Sequence, residues 1–161
     1  MLGGTVTVSP DSSYLADELK SVRACTGATM DPMTAFLCLR GLKSLGLRMK
    51  RHTVNALTIC SLFDDYEINH KYPGFSGVIA VEFDSKETAK VFVENLVGAK
   101  LAVSLGEVQT LVSVPALTTH AAYSEAELKA IGISPGLVRV SVGIEDPLEL
   151  KREFERALKA L

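Results

Sequence analysis

The stretch GLVRVSVGIED, residues Gly136 to Asp146, decides the fold of the second half of this chain. Successive side chains of a strand point to opposite sides. Four apolar side chains share one side: Val138, Val140, Val142 and Ile144. The other side carries Leu137, Arg139, Ser141 and Gly143. This alternation predicts a half-buried strand whose valine face packs on helices and whose open face carries a single arginine.

Further strand and helix patterns surround this stretch. Three more segments are strand-like, VIAVEF (78–83), KLAVSLG (100–106) and QTLVSV (109–114). Three capping patterns start helices: Asp84 with Glu87, Ser124 with Glu127, and Asp146-Pro147 with Glu149. The last helix has an apolar stripe of Leu150, Phe154, Ala157 and Leu158. Strands interleaved with helices, and a sheet apolar on one face, predict a two-layer α/β sandwich.

The first 66 residues show a different pattern. GGTVTVS (3–9) predicts a strand, and residues 13–25 predict a helix. Asp31-Pro32 is a good helix start, an N-cap acceptor followed by proline. The run from Met33 to Phe63 predicts one long helix of about eight turns, which Gly41 and Gly46 weaken. Its apolar stripe comprises Phe36, Leu39, Leu42, Leu45 and Met49.

The composition excludes several classes of protein. Hydrophobic residues make up 47% of the 161 residues and the formal net charge is -2, which is typical of a globular domain and not of a disordered chain. The near-neutral balance lacks the clustered cations of a nucleic-acid-binding protein. No run approaches ~18 apolar residues, so a membrane-spanning helix is not expected. The first residues do not resemble a secretory signal.

The cysteines and histidines do not suggest a disulfide or a metal site. Cys25, Cys38 and Cys60 lie far apart, and a sparse, odd number without an export signal indicates reduced thiols and a cytoplasmic protein. The three histidines are isolated from one another. A metal site needs three or four converging ligands, and no close-spaced pair is present.

Three features of the second half are candidates for chemistry. They are the Ser104–Gly106 segment, the turn at Thr119, and Arg139, all placed near strand ends where small-molecule sites form. For Arg139 two interpretations stand, a charge on the open face of a sheet or a guanidinium that clamps a substrate carboxylate. Spacing alone slightly favours the first. Ser104 and Thr119 are more often turn or capping residues than ligands.

Several longer motifs resemble one family. They are KLAVSLGEVQTLVSVPALTTHA (100–121), GISPGLVRVSVGIEDPLEL (132–150), AFLCLRGLKSLGLRMKRHTVNA (35–56) and GGTVTVSP (3–10). Together they resemble the C-terminal portion of the Cys/Met-metabolism (transsulfuration) enzymes that depend on pyridoxal phosphate. That family includes cystathionine γ-synthase, cystathionine γ-lyase and methionine γ-lyase. The resemblance implies the end of a fold-type I large domain (1–31), a long connecting helix (32–66) and a small α/β domain with a mainly antiparallel sheet (67–161).

The resemblance also implies roles for individual residues. Arg139 matches the arginine that binds the α-carboxylate of the amino-acid substrate, and Ser104 matches a serine that helps to hold it. Thr119 matches a threonine that lines the cofactor cleft. Val103 matches a position at which a glutamate is associated with the cystathionine enzymes. The valine therefore favours a methionine γ-lyase-like or homoserine-ester sulfhydrylase-like substrate.

Two departures from the family pattern affect the functional interpretation. No lysine of this chain lies in the Ser-x-Thr-Lys context to which the family attaches pyridoxal phosphate, so we expect the chain to be inactive alone. The YPGFSG junction (72–77) is about twenty residues shorter than the family pattern.

These features leave two functions open. One is the C-terminal segment of a transsulfuration enzyme that catalyses β/γ-elimination or γ-replacement, with a separate large-domain polypeptide and a homo-oligomer as the implied partners. The other is a non-enzymatic amino-acid-binding or assembly module. Exposed interface from a missing domain would favour self-association.

Overall fold

The computed structural model describes residues 3–161. The chain divides into two compact units, Met1–Gly46 and Leu47–Leu161. In the first unit a 3₁₀ turn, Pro10–Ser12, precedes the helices α1 (Leu15–Thr26) and α2 (Pro32–Leu42). The predicted helix over residues 13–25 is therefore confirmed with slightly shifted ends. The Asp31 side chain accepts a hydrogen bond from the Thr34 N–H at 3.0 Å, which confirms the predicted cap of α2.

The strand predicted for residues 3–9 is wrong. This segment has no strand assignment in the structure, and no strand lies among the described residues 3–46 of its unit. A β-strand requires a neighbouring strand to pair its N–H and C=O groups. The alternation of Val6 and Val8 with threonines therefore does not produce a strand here.

The single long helix predicted from Met33 to Phe63 is also wrong. The structure has two helices, α2 and α3 (Leu45–Asp65), separated by Lys43 and Ser44. The N–H groups of Lys43 and Ser44 bond three residues back, to Arg40 and Gly41, as in a tightened last turn. Gly41 and Gly46 flank the break, and each weakens a helix by about 1 kcal/mol relative to alanine.

The second unit contains a five-stranded sheet in the order β1-β2-β5-β4-β3. The strands are β1 (His70–Lys71), β2 (Val78–Glu82), β3 (Lys100–Leu101), β4 (Leu111–Ser113) and β5 (Leu137–Ser141). All pairs are antiparallel except β3 with β4. The predicted α/β class and mainly antiparallel sheet are confirmed. The two-residue strand β1 was not predicted.

Strand β5 lies at the centre of the sheet, and its valine face forms the core. Val138, Val140 and Val142 are fully buried, as the alternation predicts. The helices α3, α4 (Lys86–Glu94) and α6 (Pro147–Leu158) contribute aromatic side chains to the same core. Three of these rings meet edge to face, Phe63, Phe92 and Phe154, with centroids 5.9–6.4 Å apart. The four predicted stripe residues of α6 are all buried.

Two buried polar side chains of α3 fasten this helix to the chain just beyond β5. His52 Nδ1 lies 2.7 Å from the carbonyl oxygen of Val142, and because that oxygen can only accept, Nδ1 carries the proton. Asn55 Nδ2 donates to the carbonyl oxygens of Gly143 and Glu145, at 3.0 and 2.9 Å. Its Oδ1 is buried without a partner.

The other helix starts agree with the predictions except at α4. Ser85, and not Asp84, caps α4, because the Ser85 hydroxyl accepts from the Thr88 N–H. The pair Ser124 and Glu127 forms the predicted capping box of α5 (Glu125–Ala130). Asp146 accepts from the first N–H groups of α6, as predicted.

Candidate functional site

Arg139 lies on the open face of β5, between Ala80 of β2 and Ser113 of β4. Its Nη2 donates hydrogen bonds to the backbone carbonyl oxygens of Val103 and Ser104, at 2.8 and 2.7 Å. Its Nε is buried and has no hydrogen-bond partner. The structure thus brings Arg139 to two of the predicted site residues, through their backbone and not through their side chains.

The segment from residue 102 to 110, which we call the clamp loop, crosses the open face of β5. The Gly106 N–H donates to Ser141 Oγ at 3.1 Å, and the Ile144 N–H donates to the Val108 carbonyl oxygen at 2.8 Å. Gly106 has φ +75°, a left-handed conformation that glycine adopts without a steric penalty. The predicted strand over 100–106 therefore ends at Leu101. The Ala102 N–H still bonds to the Val112 carbonyl oxygen of β4, and from Val103 to Gly106 the backbone bonds to side chains of β5 instead.

A small polar network holds the far end of the clamp loop. The Gly143 N–H donates to Thr110 Oγ1 at 2.9 Å, and both the N–H and the hydroxyl of Thr110 donate to the Glu145 carboxylate. A side chain at Gly143 would collide with the backbone oxygen of Val108. Sequence reasoning missed Thr110, Ser141 and Glu145. Their partners lie 33–35 positions away in sequence, so local patterns carry no signal for them.

Thr119 occupies a different environment from the other predicted site residues. Its side chain is exposed, and its Oγ1 lies 2.8 Å from Nδ1 of His120. The His120 ring contacts that of Tyr123, with centroids 5.2 Å apart. Among the residues that the structure describes, no hydrogen bond joins Thr119 to Arg139 or to the clamp loop. The predicted role of Thr119 in lining a cofactor cleft stays a prediction.

The side chains of Val103 and Ser104 are exposed beside Arg139. Val103 is 56% exposed, and Leu105 is also largely exposed. The arrangement presents a guanidinium, a hydroxyl and apolar side chains on one surface. An amino-acid substrate with an apolar side chain and a carboxylate matches these groups chemically. Substrate selection by Val103 stays a prediction.

The charge of Arg139 has no partner among the side chains that the structure describes. No described carboxylate lies within ion-pair distance of it, and its two partners are neutral carbonyl groups. Carbonyl partners orient a guanidinium without neutralising it. The group keeps a full positive charge with which to attract an anion.

Other chemistry is sparse in the described part of the chain. The structure brings no three histidine, cysteine or acidic side chains together as metal ligands there. Burial raises the pKa of the Cys60 thiol to about 11, which makes it a poor nucleophile. Over the same residues, no helix is long and apolar enough to cross a membrane.

Comparison with known proteins places the chain in a family. The sequence pattern described as "Cys/Met metabolism PLP-dependent enzyme" matches residues 1–159. The chain belongs to this family. Members of the Cys/Met-metabolism family depend on pyridoxal phosphate, so the predicted family and its cofactor are confirmed.

Named relatives are similar to this family member along almost its whole length. It is 37% identical to a cystathionine beta-lyase of Coxiella burnetii and 35% identical to a cystathionine gamma-lyase of Bacillus subtilis, over 96% and 99% of its length. An L-methionine gamma-lyase of Fusobacterium nucleatum is 34% identical over 91% of the chain. The chain spans about half the length of these relatives, 45%, 46% and 42% respectively.

The described residues fit only part of a pyridoxal-phosphate site. A lysine that forms a Schiff base is normally desolvated, so that its pKa falls. No lysine among residues 3–161 is buried. The pKa of Lys159 is raised, because its ammonium group bonds to the Glu155 carboxylate, and this is opposite to the shift that a Schiff-base lysine needs. The described residues therefore offer an arginine held by two carbonyl groups but no desolvated lysine suited to hold the cofactor, and we derive no step through that group.

Proposed function

We propose that this chain is the C-terminal segment of a pyridoxal-phosphate-dependent transsulfuration enzyme that catalyses β/γ-elimination or γ-replacement on sulfur amino acids. The exposed Val103 favours a methionine γ-lyase-like or homoserine-ester sulfhydrylase-like reaction. In this proposal Arg139 anchors the α-carboxylate of the substrate, and Ser104 assists it. The observation that carries the proposal is the unpaired guanidinium held by two neutral carbonyl groups beside an exposed hydroxyl.

The geometry of Arg139 supports an oriented anion site more than a surface charge. A surface arginine usually ranges over many rotamers, and ordering it has an entropic cost. Here Nη2 is held by two carbonyl groups that belong to one short segment of backbone. The plane of the guanidinium is consequently fixed before a ligand arrives. Both Nη2 protons are donated to these carbonyl groups and Nε is buried, so Nη1 is the guanidinium nitrogen left to donate to a carboxylate oxygen.

The proposal includes a large-domain polypeptide that supplies the cofactor-binding groups. About half of each relative's length lies outside the match with this chain. Helix α2 carries five large apolar side chains that are exposed, Met33, Phe36, Leu37, Leu39 and Leu42. Such side chains are typical of a surface that another polypeptide covers. We include homo-oligomer formation and a cytoplasmic location in the proposal, as the family resemblance and the reduced thiols imply.

The experiment that tests the carboxylate anchor is calorimetry with methionine and with 3-(methylthio)propylamine, which lacks the carboxylate. We expect the chain to bind methionine and to bind the amine at least ten-fold more weakly. Arg139→Gln keeps a polar side chain but removes the charge, so it should weaken methionine binding at least ten-fold. Arg152→Ala removes an exposed arginine of α6 and is the matched control.

Equal binding of methionine and the amine would contradict the anchor role of Arg139. So would an Arg139→Gln variant with the wild-type affinity. Circular dichroism of each variant checks that the fold is kept.

The second candidate function, an amino-acid-binding or assembly module without chemistry, is favoured by the absence of a buried lysine among the described residues. Adding a large-domain polypeptide separates the two, because only the enzyme segment would then support release of ammonia from methionine.

A further inference from the structure

Ser141 lies on β5 two residues beyond Arg139, on the same open face of the sheet. It is almost completely buried, with 2% of its surface exposed. Its Oγ accepts the hydrogen bond of the Gly106 N–H at 3.1 Å. Neither the resemblance to the family nor the alternation of the strand assigns this hydroxyl a function.

Two side chains on one face of the strand thus hold three residues of the clamp loop, Val103, Ser104 and Gly106. Arg139 holds the carbonyl group of Ser104, and Ser141 holds the N–H group of Gly106. Residues two apart in a strand are separated by roughly 6.5–7 Å along it, and this separation is fixed by the backbone. The strand therefore sets where the turn at Leu105 lies relative to the guanidinium.

The left-handed conformation of Gly106 makes this contact specific. With φ at +75°, the residue turns its N–H toward β5 while the preceding carbonyl groups face Arg139. Loss of the Ser141 hydroxyl would remove the acceptor for this N–H. The turn would then be held by Arg139 on one side and by the Ile144 N–H bond to the Val108 carbonyl group on the other, and the orientation of the guanidinium would depend on a less restrained segment.

We propose that Ser141 is a positioning residue for the carboxylate clamp, acting through Gly106 and the carbonyl groups that orient Arg139. This inference rests on the proposed function of Arg139. Ser141 itself does not touch the ligand. Its loss should weaken carboxylate binding by about 3- to 10-fold, the effect of one hydrogen bond, and should not affect binding of the rest of the substrate.

The test compares Ser141→Ala with Ser113→Ala as the matched control. Ser113 is equally buried, with 2% of its surface exposed, and pairs with Arg139 across β4 and β5. In the part of the chain that the structure describes, its hydroxyl makes no hydrogen bond to the clamp loop. Nuclear magnetic resonance measures the exchange rates of the Gly106 N–H and of the Arg139 Nε–H. Calorimetry measures the affinities for methionine and for 3-(methylthio)propylamine.

We expect Ser141→Ala to speed both exchange rates at least ten-fold and to weaken methionine binding about 3- to 10-fold, with the affinity for the amine unchanged. Ser113→Ala should change none of these values. A Ser141→Ala variant that exchanges faster but binds methionine normally would overturn the inference and leave the proposed function standing. Equal losses for methionine and the amine, or the same loss in Ser113→Ala, would show a merely structural role. Unchanged binding in Arg139→Gln, or no binding by the wild-type chain, would overturn both proposals.

Discussion

Replacing Asn55 with alanine tests the link between α3 and the end of β5. The change removes the donor for two carbonyl groups, those of Gly143 and Glu145. Leaving each carbonyl group without a partner costs about 1–3 kcal/mol. The substitution also removes the buried Oδ1 that has no partner, and this recovers about 1–3 kcal/mol of stability. We therefore expect the free energy of unfolding to fall by about 2 kcal/mol.

Urea unfolding followed by circular dichroism measures this change. With a urea dependence of about 1–3 kcal/mol/M, the midpoint should fall by about 1 M, while the slope stays unchanged. Asn95→Ala is the matched control, because its Nδ2 bonds only to the Val91 carbonyl oxygen on the exposed surface of α4. That control should change the free energy of unfolding by less than about 0.5 kcal/mol.

Asn55→Asp makes the same test dependent on pH. A carboxylate at this buried position would face two carbonyl oxygens and could not donate to them, so its pKa in the folded state would be raised. A raised pKa means that the folded state binds more protons, and stability falls as pH rises above the unfolded value of about 3.9. We expect the difference in stability between Asn55→Asp and Asn55→Ala to widen from pH 5 to pH 8. An alanine variant as stable as wild type, or a pH-independent difference, would refute the reasoning.

Three further predictions address the core, the thiols and the cofactor. Phe154→Ala should lower the free energy of unfolding by about 3–5 kcal/mol in a urea titration, because the side chain is fully buried between two other rings. Cys25, which is exposed, should react with a thiol reagent at pH 8 while Cys60, with its pKa raised to about 11, stays protected in the folded chain. Full labelling of Cys60 at pH 8 would contradict the expected protection. The folded state holds the Cys60 proton more tightly than the unfolded state, so the free energy of unfolding should also fall between about pH 9 and pH 11. The chain mixed with pyridoxal phosphate should show no ~420 nm band that borohydride fixes to one lysine, and a single modified lysine found by mass spectrometry would contradict this prediction.

The strands could be predicted where burial on one face imposes a period of two. Val138, Val140 and Val142 alternate cleanly, and all three are buried. The two-residue strand β1 was missed because His70 and Lys71 are too few to show a period. The helix break at Lys43 was missed because an apolar stripe continued through it. Helical spacing records which side chains share a face, and it does not show whether the backbone hydrogen bonds continue.

The candidate site could be predicted only as a set of residue types. Arg139 and Ser104 do lie together, but the contact is to the carbonyl group of Ser104, which every residue possesses. No side-chain pattern in the sequence can reveal a bond to a backbone group. The same holds for Ser141 and the Gly106 N–H. The glycine was the available signal, because a left-handed turn commonly requires one.

The bonds from His52 and Asn55 to the chain beyond β5 also determine when this protein can fold. They join residues 88–90 positions apart, and β5 itself lies between β2 and β4 in the sheet. Contacts of such long sequence separation form slowly, because a long loop must close before they do. During synthesis, α3 and β2 emerge well before their central partner exists. A growing chain therefore exposes the apolar faces of α3 and β2 until residue 145 leaves the ribosome, and apolar surface exposed in this way is prone to aggregate.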